Sequence, residues 1–195
     1  MKKTILPAIY LTLLMTVLTG LLYPLVMTGI AQLIFPGQAN GSMIKCEGQV
    51  VGSKLIGQNF TSVRYFWSRP SAIGYNPMPS GATNYGPTSD TLKHLVEKRK
   101  ADFIRFNDLP ANTQVPGDML YASGSGLDPD ISPEAAELQI DRVARARGFN
   151  SSETKVLREL VESHIETPQL GFLGEPRVNV LLLNIALDSL YVSRG

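Results

Sequence analysis

From Ile5 to Phe35 the chain runs through 31 residues without a charged side chain. Lys2 and Lys3 precede this run, and the next charge is Lys45. At about 1.5 Å per helical residue, such a run reaches roughly 46 Å, against a bilayer hydrocarbon core of about 30 Å. A backbone in lipid must satisfy its own hydrogen bonds, so the run is expected to be one membrane-crossing helix. Lys2 and Lys3 on one side, with no Lys or Arg on the other until Lys45, predict a cytoplasmic N-terminus. The expected division is residues 1–4 cytoplasmic, 5–35 spanning (core about 7–28) and 36–195 outside, periplasmic in a bacterial cell.

A cleaved signal peptide is the competing reading, and Gly37 and Ala39 supply small residues before Asn40. A signal core is usually ~7–15 apolar residues, about half the length of this run, so retention is expected. Pro24 should kink the helix near Tyr23. Thr12, Thr16, Thr19 and Thr28 are expected to bond back to their own helix, although interhelical bonding is open to them. Gln32 is expected at the outer interface.

The 160 residues after the run carry 16 basic and 17 acidic side chains, a balance of −1. No basic field is present to attract nucleic acid. Cys46, the single cysteine, has no disulfide partner within the chain and is expected to be buried or covered.

Gln49 to Phe60 reads as a strand pair, or a strand bulged at Gly52. Thr61 to Trp67 is aromatic and β-branched, a further strand candidate. Ser68 to Ser89, with four prolines and three glycines, is too long for an idle connection. Its Tyr75 and Tyr85 predict an ordered loop packed on something, a partner among the options. Asp90 can cap a helix to about Phe106. Asp118 to Ala122 is a short strand candidate. Ser132-Pro133 opens a helix that Gly148 closes. A further helix runs from Ser151 or Ser152 to about Ile165, and Val178 to Tyr191 is expected to be a buried helix. The fold class expected is α+β: one N-terminal transmembrane helix, then one mixed α/β extracytoplasmic domain.

Several chemistries lack their residues. There is no G-x-x-x-x-G-K-[ST] loop, no Asp-Lys-Thr-Gly phosphorylation site and no zinc motif, and no metal site is expected. Ser123 and Ser125 come near a G-x-S-x-G elbow, but neither has glycine two residues before it. His94 and His164 lie on expected amphipathic helices, where structural or surface roles are commoner than base catalysis. Tyr121 to Gly148 gathers Gly124, Gly126, Asp128-Pro129 and Ser132-Pro133. That pattern can aim backbone N–H groups at a docked anion, or at Asp128 itself as a capping group.

Taken together, Gly52 to Phe60, Tyr65 to Ala72, Ser123 to Pro133 with Gln139, Arg142, Val143, Ala144 and Arg147, and Arg177 to Leu181 resemble the C-subunit family of Kdp-type potassium-transporting ATPases. The resemblance covers nearly the whole chain. It implies a non-catalytic subunit of a bacterial inner-membrane complex, with a channel-like potassium-binding subunit and a P-type ATPase subunit as partners alongside the lipid bilayer. The complex, not this chain, would handle ATP and potassium, and the chain would stabilise the assembly and promote ATP binding and turnover by the pump. Ser123, Gly124, Ser125, Gly126, Leu127, Asp128, Pro129, Gln139 and Arg142 would be family-motif or partner-contact residues, and Tyr65, Arg69, Pro70 and Ser71 loop contacts. Asp130 stands where the family pattern leads one to expect His, so a titrating role is not carried over. The rival is a signal-anchored periplasmic hydrolase using Ser123 or Ser125.

Overall fold

The computed structural model describes residues 2–46 and 48–192, with side chains from 4 to 46 and 48 to 190. The side chains of Lys2 and Lys3, on which the orientation rests, lie outside the described residues. The chain divides into two compact units, Met1–Ser53 and Lys54–Gly195.

In the first unit, α1 (Lys2–Val17) passes through a π-helical turn (Leu18–Leu22) into α2 (Tyr23–Ile34). The stretch Thr4–Ile34 is long and apolar enough to cross a bilayer, and none of its most apolar window is buried by the chain itself. The irregularity falls on the turn before Pro24. Proline has no N–H to give the carbonyl four residues back, Gly20. The turn widens instead, and the Tyr23 N–H bonds to the Leu18 carbonyl, five residues back. The hydroxyls of Thr16, Thr19 and Thr28 donate to the carbonyls of Thr12, Met15 and Pro24, the self-bonding expected of them. Gln32 exchanges amide hydrogen bonds with Asn40. After the short α3 (Pro36–Ala39), β1 (Met43–Cys46) and β2 (Gln49–Ser53) form an antiparallel hairpin. Val51 is the extra residue of a bulge beside Gly52, and Cys46 is half-buried. The strand partner is thus the stretch upstream of Gln49, and the chain leaves the sheet at Ser53 rather than continuing to Phe60.

The second unit holds α4 (Asp90–Asn107), α5 (Gly117–Leu120), β3 (Asp130–Ile131), α6 (Pro133–Glu137), α7 (Ile140–Arg147), α8 (Ser151–Ser163), β4 (Ile165–Glu166), β5 (Arg177–Asn179) and α9 (Val180–Val192). The three short strands form an antiparallel sheet in the order β3-β5-β4. Phe66, Phe103, Met119, Ile131, Val143, Leu157, Leu183 and Leu187 form much of one core between sheet and helices.

Helix ends follow local chemistry. The Ser132 hydroxyl accepts the Ala135 N–H, with Pro133 at the first helical position. Gly148, at φ +71°, closes α7. Ser89, not Asp90, caps α4 by accepting the Leu92 N–H. Asn150, not Ser151 or Ser152, caps α8, in a reciprocal capping box with Glu153. The helix expected from Ser132 to Gly148 is interrupted at Leu138 and Gln139. There the Gln139 N–H bonds to Ala136, three residues back, and its side-chain amide takes the Ala135 carbonyl instead. Asp118 to Ala122 is not a strand: Pro116 enters a helical turn that closes through the Tyr121 N–H to Gly117. Val178 and Asn179, expected to be helical, lie in β5 before α9 begins: Val178 pairs with both β3 and β4, and Asn179 with β3.

Candidate functional site

Thr61 to Trp67 is not a strand of either sheet, although its composition favours one. The backbone groups of Phe66 and Trp67 bond instead to side-chain amides, of Asn184 on α9 and of Gln139 just before α7. Phe66 N–H donates to Asn184 Oδ1 at 2.8 Å, and Asn184 Nδ2 returns a bond to the Phe66 carbonyl at 3.0 Å. Trp67 N–H donates to Gln139 Oε1 at 2.8 Å, and Gln139 Nε2 bonds the Trp67 carbonyl at 3.3 Å. Each amide thus stands in for one residue of a neighbouring strand.

Arg142 completes this arrangement. Its Nη1 donates to the carbonyls of Val63 and Tyr65 at 2.6 and 3.0 Å, Nη2 to Gln139 Oε1 at 2.8 Å and Nε to Asn107 Oδ1 at 2.9 Å. The guanidinium also lies 4.2 Å from the Trp67 ring centroid. Burial pulls its pKa down to about 10, which leaves it cationic at neutral pH. Five residues on, Arg147 bonds the Arg64 carbonyl and pairs with Asp188 at 2.7 Å, while the Tyr65 hydroxyl donates to the other Asp188 oxygen. Burial, and then the Asp188 carboxylate, raise the Tyr65 pKa.

Gln139 and Arg142 were expected among family-motif or partner-contact residues. They are 0% and 3% exposed, so neither offers a surface to a partner. Their work is internal: they hold the 63–67 strip against α4 and α7, while Asn184 ties it to α9. Sequence reasoning missed Asn107 and Asn184 as its other holders, and named Arg147 only as part of the family pattern. The one signal available for Asn184 was an amide inside an otherwise apolar run.

The Ser123 to Asp128 loop is clamped by two other segments. Ser123 N–H donates to the Pro70 carbonyl, Ser71 Oγ to the Gly126 carbonyl, Gly81 N–H to the Ser125 carbonyl and Gly57 N–H to the Leu127 carbonyl. Within the loop, Ser125 Oγ accepts the Leu127 N–H. Two glycines are demanded by closeness: a Cβ on Gly57 would lie 2.4 Å from the Asp128 carbonyl oxygen, and one on Gly126 2.5 Å from Ile73 Cγ1. The 68–89 segment is therefore an ordered loop, packed here on the chain's own Ser-Gly-Ser-Gly block.

The spot for a docked anion is filled from within. Asp128 Oδ1 accepts the Asp130 N–H, and Oδ2 pairs with Arg69 at 2.6 Å. The Asp118 carboxylate accepts both the N–H and the hydroxyl of Ser132. Beside these lies a cleft of about 900 Å³ lined by Asp118, Asp128, Asp130, Glu134 and Glu175, with Arg69 and Arg177 as its cations. Burial raises the Asp130 pKa against the opposing pull of Arg177 and Asn179. Pro129 joins the loop to β3, and its carbonyl receives the Val180 N–H.

Neither serine has the surroundings of a nucleophile. Ser123 Oγ is buried with no hydrogen-bond partner among the described residues, and Ser125 Oγ serves the loop. His164 Nδ1 lies 2.8 Å from the Leu160 carbonyl and His94 is exposed beside Glu97. No base is placed to activate either hydroxyl among the described residues.

A family model described as "KdpC: K+-transporting ATPase, c chain" matches residues 5–189. Among curated proteins, a potassium-transporting ATPase KdpC subunit of Geobacter sulfurreducens is 51% identical over 193 residues, covering 96% of this chain and 98% of the relative. The proteins of the same name from Gemmatimonas aurantiaca and Mycobacterium bovis are 49% and 47% identical, over 97% of this chain in each case and over 94% and 100% of the relative.

Proposed function

The chain belongs to the KdpC family, and from that premise we propose that it is the non-catalytic subunit that holds a potassium-uptake complex together and tunes its pump. As a subunit of a K+-transporting ATPase it has an accessory role in potassium uptake. In the proposed arrangement the helix Thr4–Ile34 crosses the bacterial inner membrane with its N-terminus in the cytoplasm, and the second unit lies in the periplasm. The partners are a channel-like potassium-binding subunit and a P-type ATPase subunit, and these bind potassium and ATP. The span packs on partner helices and the folded unit caps the ion entrance. A bilayer then separates the folded unit from cytoplasmic ATP, so its effect on ATP affinity is allosteric, exerted through the states of the complex.

The observation that carries this reading is the span itself. Its apolar window is 0% buried within the chain, so lipid and partner helices are left to cover it. The hydrolase alternative has no activated serine to support it. The test is co-purification from native membranes in mild detergent by a C-terminal tag. Two polytopic subunits should follow the chain, one carrying an Asp-Lys-Thr-Gly site, and the eluate should show potassium-stimulated ATPase activity. A chain that elutes alone while other membrane complexes stay intact overturns the reading. Protease added outside spheroplasts should cut the folded unit; protection of that unit, with a control periplasmic site cleaved, overturns the orientation.

A further inference from the structure

Between Glu166 and Glu175 the chain carries no charge, and its tip, Leu170 to Leu173, exposes three apolar side chains: Leu170 83%, Phe172 74% and Leu173 51%. Apolar groups this exposed on adjacent residues mark a surface that meets something other than water. The loop is ordered by its own backbone. Gln169 and Leu173 exchange N–H to carbonyl bonds at 3.0 and 2.9 Å, Gly171 N–H bonds the Pro168 carbonyl and Phe172 N–H the Gln169 carbonyl. Leu170, Gly171 and Gly174 take positive φ, which turns the chain within five residues.

We propose that this tip is a second membrane contact, inserted into the lipid interface of the bilayer that Thr4–Ile34 crosses. It thus rests on the spanning reading above. Three features favour lipid as the occupant. The N–H groups of Gly171, Phe172 and Leu173 are bonded within the loop, which suits the headgroup and acyl boundary, where the remaining carbonyls can still meet water. Leu and Phe side chains on a short turn can sink into the headgroup and acyl boundary without a complementary cavity. The folded unit is also tethered to a membrane through only 19 residues, 35–53, so the bilayer is present at high effective concentration and a shallow contact suffices. Glu166 and Glu175 flank the tip in sequence, and Glu166 is paired with Lys54 and Arg177, charges suited to the headgroup level.

The test is a nitroxide at the tip of the full chain. Cys46→Ser with Gln169→Cys is labelled and reconstituted into phosphatidylethanolamine–phosphatidylglycerol vesicles, with Glu97→Cys in the same background as an exposed control. Collision rates with oxygen, which partitions into lipid, and with a water-soluble nickel chelate report depth. The inference expects an oxygen-to-nickel ratio at 169 several-fold above that at 97. It further expects the ratio to fall to the control value when Leu170→Asp and Phe172→Asp are added, with the helical circular dichroism unchanged. A label at 169 as wet as the control in a membrane-embedded chain overturns the inference and leaves the spanning reading intact. Shielding from both reagents only in the assembled complex also overturns it, because a partner protein then covers the tip. Release of the chain from vesicles by alkaline carbonate overturns the spanning reading and this inference together.

Discussion

At the scale of single residues, the second unit turns on Arg142. Replacing it by Ala leaves the Val63 and Tyr65 carbonyls, Gln139 Oε1 and Asn107 Oδ1 short of a donor in the interior. Arg142→Ala should cost about 3 kcal/mol or more, because each buried acceptor left unsatisfied costs roughly 1–3 kcal/mol. Arg142→Lys should rescue little, since an ammonium lacks the planar fork that reaches carbonyls and amides at once. Urea unfolding of the detergent-solubilised chain, followed by near-ultraviolet circular dichroism of Trp67, measures both. Glu166 makes a pH prediction. Its hydrogen bond to Lys54, and then that from Arg177, lower its pKa. A carboxylate with a lowered folded pKa stabilises the fold above its unfolded pKa, and that contribution is lost as pH falls through the folded value. The groups are partly exposed, so Glu166→Gln should lower stability at pH 7 by only about 0.5 kcal/mol, and the difference from the parent should vanish in acid. Melting temperatures at pH 7 and pH 3 check this. Apart from Gln139, three residues before Arg142, these partners are set by the fold and not by local spacing: Lys54 and Glu166 are 112 residues apart.

At the scale of elements, local signals worked where the determinants are local. Ser132-Pro133 and Gly148 mark helix ends that the backbone adopts, because a cap needs only the next three residues. The same rule missed Asn150, one residue before the serines chosen, although Glu153 completes its box. Asn150→Ala should lower stability by about 1 kcal/mol, the ordinary worth of such a cap, and should fray α8, read as faster amide exchange at Ser152 to Thr154. Thr61 to Trp67 was misread for a different reason. β-branched and aromatic residues do favour extended backbone, but a strand needs a neighbouring strand. Here the neighbours are the amides of Gln139 and Asn184, 72 and 118 residues away.

At the scale of the whole molecule, the roles proposed for the apolar helix and the folded unit can be tested separately. Replacing Leu6–Ile34 by an unrelated apolar helix of equal length should leave the chain in the membrane but lose the polytopic partners on purification. Retention of those partners would move the assembly determinants to the folded unit. Arg142→Ala should show the reverse at elevated temperature: insertion persists while the folded unit is lost, read by protease resistance of the span alone.

The sequence alone determined the long apolar helix, the helix ends at Ser132 and Gly148 in the second unit and the family. Each is written in contiguous residues: an uncharged run, a cap within one turn, blocks of motif in order. Only the tertiary structure decided what those motif residues do. Gln139 and Arg142 became interior fasteners because α7 presents them to the 63–67 strip. The Ser-Gly-Ser-Gly block became a clamped loop because Gly57, Pro70, Ser71 and Gly81 arrive beside it. A polar side chain states its need for a partner, but long-range packing chooses which partner meets it.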